Sequence, residues 1–292
     1  MNVSEHPPAG DTTGPRTGLL AELVSVPTPT VPLDGLLYRA TGTARAGVLL
    51  MHGNMRNFYS GPARFLPGHL VPRGFDCFAF NRRGHDILTT GDDRLPQGGA
   101  YQTAAQSMED NEFASTFLAD EGHPEPVVIG HSNGGLLATA FAAAHPEVRA
   151  LVLLSAHAGG PGHVEHLART GLLGAGEHAD LLARARALIA EGRGDELLRT
   201  PGWWYLLTAT SYVDRVDASP TLLDLAASVT CPVLLIKGAD ESDEQYPVDG
   251  FAERCAGPSD VVRLAGADHF YSDLTQAVGS IVVEWLDDAI VG

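Results

Sequence analysis

Basic residues are scarce in this chain: 19 Lys and Arg stand against 36 Asp and Glu, a formal net charge of -17. A surface with that balance repels phosphate backbones and anionic bilayers, so neither nucleic acid nor membrane is an expected partner. Cysteine is scarcer still. Cys77, Cys231 and Cys255 have no metal-ligand spacing, and the first two fall in strand-like apolar runs where a reduced thiol acts as a small hydrophobe. Absent too is an apolar run long enough to span a bilayer, and Met1 to Gly18 lacks the basic start and apolar stretch of a secretory leader. The expectation is a cytoplasmic protein in a reducing compartment. A composition of 44% hydrophobic and 19% charged residues excludes general disorder, and 292 residues suffice to bury a substantial core.

What is present is alternation. Leu33–Ala40, Gly47–Met51, Phe75–Phe80, Pro126–Ile129, Ala150–Leu154, Val233–Ile236 and Val261–Leu264 read as short strands. Gln102–Ala119, Gly134–Ala144, Val248–Cys255 and the segment around Ser272–Ala289 read as helices. Short apolar strands bounded by Gly or Pro suit a mostly parallel sheet buried on both faces, which makes the fold class α/β and doubly wound. Residues 1–18, rich in Pro, Gly and Thr without periodicity, are expected to form a flexible lead-in. After Ser155 the alternation stops. In Ala179–Ala190 the residues Leu181, Leu182, Ala185, Leu188 and Ile189 recur at helical spacing. Residues 156–227 therefore read as a helical cap inserted into a core made of residues 19–155 and 228–292.

Chemistry concentrates at few places. Gly130-His131-Ser132-Asn133-Gly134 is a Gly-x-Ser-x-Gly match, which random placement of 33 Gly and 14 Ser would produce about 0.2 times per chain. Its setting gives it weight: an apolar strand precedes it and an Ala-rich helix follows, as a strained elbow exposing a serine hydroxyl requires. The competing reading is a serine that merely caps that helix. His269, in Gly266-Ala267-Asp268-His269-Phe270, lies between the last strand and the last helix, where an imidazole can take a serine proton and pass it on. Gly238-Ala239-Asp240-Glu241-Ser242-Asp243-Glu244 offers four carboxylates where one is needed to orient an imidazole. His163 and His166 could share a metal by spacing, but no carboxylate or thiolate motif accompanies them, so no metal is expected. Trp203, Trp204 and Tyr205 of the cap, with His52, are the expected substrate-binding side chains.

These motifs together resemble the α/β-hydrolase superfamily over residues 20–290, in the chain order serine, acid, histidine. The resemblance implies a nucleophile at Ser132, a base at His269 and an oxyanion hole made by the backbone N–H groups of Asn54 and Asn133. It implies no metal or organic cofactor. The acid stays open: hydrolases often place it three residues after the strand-ending glycine, which selects Glu241, whereas the commoner residue type favours Asp240, with Asp243 behind both. His52-Gly53-Asn54 followed by Asn57-Phe58-Tyr59, and Asn81-Arg82-Arg83-Gly84-His85-Asp86, look like a subgroup that includes siderophore-esterase-like hydrolases. The implied function is an esterase- or thioesterase-like serine hydrolase with a catalytic triad, acting on a small to medium organic acyl substrate through an acyl-enzyme. The alternatives are a cyclase or acyltransferase on the same nucleophile and a non-catalytic ligand-binding scaffold. A small-molecule acyl substrate is the expected partner. Neither its identity nor the oligomeric state follows from the sequence.

Overall fold

Five runs in which every side chain is buried form the inner strands: β3 (Ala46–Met51), β4 (Phe75–Phe80), β5 (Val127–His131), β6 (Ala150–Leu154) and β7 (Val233–Gly238). They are apolar on both faces because helices cover both faces. With β1 (Glu22–Val26), β2 (Leu33–Tyr38) and β8 (Ser259–Leu264) they make one eight-stranded sheet in the order β1-β2-β4-β3-β5-β6-β7-β8. β2 is antiparallel to both β1 and β4, and β4, β3, β5, β6, β7 and β8 run parallel. This computed structural model describes residues 18–91, 94–203 and 206–290.

The expected strands and helices are present with shifted ends. The unexpected strand of that sheet is β1, an edge strand whose Leu23 is 77% exposed, so no apolar pattern announces it. Helix α1 (Ala104–Asp120) begins with a capping box, in which the Thr103 hydroxyl accepts from Gln106 N at 3.3 Å and Thr103 N donates to Gln106 Oε1 at 3.2 Å. Helix α2 (Asn133–Ala144), whose Ala and Gly let it lie close to β5, packs on the same face as α1. One half of the core, including Leu49, Phe78, Val128 and Leu136, fills that face; the other, including Leu50, Ile129, Tyr271 and Val282, lies under the C-terminal helix Thr275–Ala289.

The segment expected to be a cap holds α3 (Gly160–Arg169), α4 (His178–Ala190), α5 (Ala209–Asp217) and a short helix, Leu222–Leu225. It also holds a two-stranded antiparallel ribbon, Leu197–Arg199 with Leu206–Thr208, which a purely helical reading does not include. Leu167, Leu181, Ala185, Leu188 and Tyr212 give this segment its own apolar cluster, and Met55 from the loop after β3 joins it. Among the described residues no helix is long and apolar enough to cross a membrane.

Candidate active site

The C-terminal ends of the parallel strands deliver the candidate residues to one place, as open α/β sheets do. Ser132 follows β5 at φ 56° and ψ -121°, a conformation costly for a side chain with a Cβ. Its amide donates to Leu154 O of β6 at 2.9 Å, fixing the bend to the neighbouring strand. The motif glycines are required by close approach. A Cβ on Gly130 would stand 2.3 Å from Gly134 O, and one on Gly134 would stand 2.2 Å from Met51 O. The Ser132 hydroxyl makes no capping hydrogen bond to α2, so the helix-cap reading does not account for it.

His269 lies in the loop after β8, and its Nδ1 donates to Glu241 Oε1 at 2.8 Å. The Nδ1 proton leaves Nε2 as the acceptor of the neutral ring. The other carboxylate oxygen of Glu241 accepts from Ser155 Oγ at 2.6 Å and from Gly238 N at 2.8 Å. Burial alone would raise the Glu241 pKa, but the hydrogen bonds from His269, Ser155 and Gly238 outweigh it and hold the carboxyl below its ordinary value. Of the acidic run, only Glu241 is brought to His269. Asp240 points out as an exposed residue. Asp243 pairs with Lys237, whose Nζ also donates to Glu241 O at 2.8 Å. Lys237 is the sole lysine of the chain and is 1% exposed; it clamps the loop that carries Glu241.

Neutral histidines surround this pair. His131, the residue before the serine, stands 4.8 Å ring to ring from His269, and its Nε2 donates to His269 O at 2.7 Å. Burial first, then the neighbouring His269, lower its pKa to about 3. His157 Nε2 donates to Asn133 Oδ1 at 3.0 Å while its Nδ1 accepts from Gly159 N at 3.1 Å. His157 stacks on His163 at 4.3 Å, and burial lowers both, His163 to about 4. His166 faces Glu244 instead, at 3.0 Å. Among the described residues no group of three or more His, Cys, Asp or Glu could hold a metal ion.

The expectation that His52 binds substrate is corrected. His52 is 2% exposed and lies behind the loop, where its Nδ1 donates to Gly53 O at 2.8 Å and its Nε2 accepts from Arg82 N at 3.1 Å. Both nitrogens are committed, and burial followed by the Arg82 charge keeps the ring neutral. The loop passes close to the serine: a Cβ on Gly53 would lie 3.3 Å from Ser132 Cβ. Asn54 is held there by Arg215, whose Nη1 donates to Asn54 Oδ1 at 3.0 Å.

A cavity of about 460 Å³ opens over these groups, with Ser132 and His269 in its wall beside Met55, Ile87, Trp203 and Tyr246. Trp203 lies nearly parallel to His269, 23° between planes and 6.2 Å between centres. Trp204 and Tyr205 fall outside the described residues. Sequence reasoning missed His131, Ser155, Lys237 and Tyr271. The available signal was a polar residue at the end of an otherwise apolar strand, which His131, Ser155 and Lys237 share.

Residues 48–184 match the family model described as the alpha/beta hydrolase fold. No curated protein sequence gives a significant match. Among solved structures, the chain is similar to the α/β hydrolase GrgF from Penicillium sp. sh18 (16% identity, TM-score 0.70, covering 93% of this chain and 98% of that one). It is also similar to Est1E from Butyrivibrio proteoclasticus (17%, 0.65, 92% and 98%) and to a thermostable carboxyl esterase from Bacillus coagulans (16%, 0.68, 94% and 100%). The narrower likeness to siderophore-esterase-like hydrolases gains no support from these matches. At such identities the shared property is the course of the backbone, and there the structures and the family model agree: this chain is an α/β-hydrolase-fold protein.

Proposed function

We propose that the chain is a serine hydrolase acting on an ester or thioester of a small to medium organic acyl group. The observation that carries this reading is the 2.8 Å bond from His269 Nδ1 to Glu241, in a cavity whose wall holds both His269 and Ser132. That bond fixes the tautomer in which Nε2 accepts a proton. Ser132 Oγ bonds to the acyl carbon as its proton passes to Nε2, and the backbone N–H groups of Asn54 and Asn133 hold the oxyanion. The proton then goes to the leaving oxygen or sulfur as its bond to the acyl carbon breaks. Water, losing a proton to the same nitrogen, cleaves the acyl-enzyme, and the Ser132 hydroxyl is restored. Glu241 stays ionised throughout and stabilises the imidazolium. Among the described residues Ser132 Oγ has no hydrogen-bond partner, and such contacts commonly tighten when substrate fills the site.

A fluorophosphonate probe tests the reading. Labelling of the folded protein at Ser132, abolished in Ser132→Ala together with hydrolysis of p-nitrophenyl acyl esters, is the expected result. A folded protein that is never labelled, or Ser132→Ala with undiminished turnover, refutes it.

A further inference from the structure

The wall of the cavity has the opposite charge balance to the molecule. The chain carries a net charge of -17, yet among the described residues no carboxylate lines the cavity, and Arg56 is the one permanently charged side chain that does. Arg56 is exposed towards solvent but not loose: its Cζ sits 4.2 Å from the centre of the Phe270 ring, next to His269 in the chain. Its backbone is fixed as well, the amide donating to Gly53 O at 3.3 Å and the carbonyl accepting from Asp86 N at 3.2 Å. No described carboxylate forms an ion pair with the guanidinium. Asp86, whose amide meets the Arg56 carbonyl, accepts instead from Asn57 Nδ2 at 2.7 Å and contacts His85 at 2.9 Å. Asp268, beside His269, turns to the amides of Phe270 and Ser272. The Arg56 charge reaches the site, since it contributes to keeping His131 neutral.

We infer that Arg56 reads a carboxylate on the substrate, so that the natural ester or thioester carries a second, anionic group. This rests on the serine-hydrolase reading and narrows its substrate class to half-esters or half-thioesters of dicarboxylic acids. The apolar walls at Met55, Ile87, Trp203 and Phe270 take the methylenes between the two ends. A guanidinium held over an aromatic ring offers a carboxylate paired N–H donors with little further ordering, which makes the contact specific as well as attractive. An exposed, mobile arginine would add little, so the Phe270 contact is what gives Arg56 weight.

The experiment compares p-nitrophenyl hemiglutarate with the neutral p-nitrophenyl valerate. Wild type is expected to favour the anionic ester in kcat/KM. That preference should fall about tenfold in Arg56→Gln, mainly through KM, be only partly restored in Arg56→Lys, which keeps the charge but not the paired N–H donors, and shrink as salt is raised. Independently of turnover, monomethyl glutarate should bind the Ser132→Ala protein measurably more tightly than methyl valerate, and lose that advantage when Arg56→Gln is added. Labelled Ser132 with an ester preference indifferent to Arg56→Gln overturns the inference and leaves the nucleophile standing. Absent labelling with Arg56-dependent binding of monomethyl glutarate refutes the hydrolase reading and supports the anion site. No Arg56-dependent difference in either measurement overturns the inference.

Discussion

Ser155 donates its hydroxyl hydrogen to Oε2 of Glu241 across 2.6 Å, from a position at the end of β6 where it is wholly buried and held at φ 42°. Having spent its one hydrogen there, Ser155 can only accept in its 2.6 Å contact with Tyr271, which shares its own single hydrogen between Ser155 Oγ and Ile236 O at 3.1 Å. Tyr271 thus orients Ser155, Ser155 holds Glu241, and Glu241 holds His269. In the proposed reaction Ser155 and Tyr271 are positioning residues that act through Glu241.

Removing the Ser155 hydroxyl should therefore weaken catalysis without touching the reacting atoms. A hydrogen bond to a charged group is worth about 1.5–3 kcal/mol, so Ser155→Ala should lower kcat/KM by about tenfold or more. The pH dependence gives a separate readout. The depressed Glu241 value stabilises the fold above the ordinary carboxylate range, and that contribution is lost as pH falls through the folded value. Losing Ser155 raises the folded value towards the unfolded one, so the acid-side loss of stability owed to Glu241 should be smaller and complete at a higher pH. Identical pH–stability curves from urea unfolding of the two proteins would contradict this.

The two neighbouring acids should behave differently. Glu241→Gln keeps the shape but removes the charge facing His269 Nδ1, and a loss of about 10³- to 10⁴-fold in kcat is expected. Asp240→Asn, on an exposed residue, should stay within about twofold. Steady-state kinetics on one ester settles both, and the reverse ranking would reassign the acid.

Acid should unfold the protein early. His52, His131, His157 and His163 are buried with lowered pKa values, desolvation being the largest cause in each. In the unfolded chain each binds a proton below about pH 6.5, whereas in the fold each stays neutral further down, so unfolding takes up protons and stability falls as pH drops below that value. Each such histidine contributes a slope of about 1.4 kcal/mol per pH unit while only the unfolded form is protonated. The raised value of His145, on the surface, offsets a fraction of this. Urea midpoints measured between pH 7 and 4 should decline steeply; a flat profile would mean these rings are protonated in the fold.

His52 should matter to the fold rather than to substrate contact. In His52→Phe the amide of Arg82 loses its acceptor and Gly53 O loses its 2.8 Å donor, both in a buried setting. A destabilisation of about 2–4 kcal/mol is expected by chemical denaturation. KM should change little compared with stability, and a selective rise in KM would return His52 to the substrate site.

What was legible in the sequence was what short-range pattern encodes. Ser132 announces itself through a strand, two spaced glycines and a helix, and His269 through its place after the last parallel strand. Glu241 and Asp240 are adjacent, so no pattern separates them; the Gly238 turn and the Ser155 hydroxyl do, and Ser155 lies 86 residues away in the chain. His52 was misplaced because position after a strand does not say which side of the loop a ring takes, and its side was decided by the Arg82 amide. β1 escaped because an exposed edge strand needs no apolar alternation, and the ribbon because three-residue strands are too short to show a period.

Lys237 carries a consequence for how this molecule can be handled. The chain's single lysine amine is sealed at the end of β7 against Asp243 and the Glu241 carbonyl. Amine-directed dyes, aldehyde crosslinkers and activated-ester resins therefore find no lysine on the folded surface, and a lysine-specific protease finds no cleavage site. Opening of the central sheet uncovers one amine, so a gain of one lysine-borne label per chain is a built-in count of unfolded molecules.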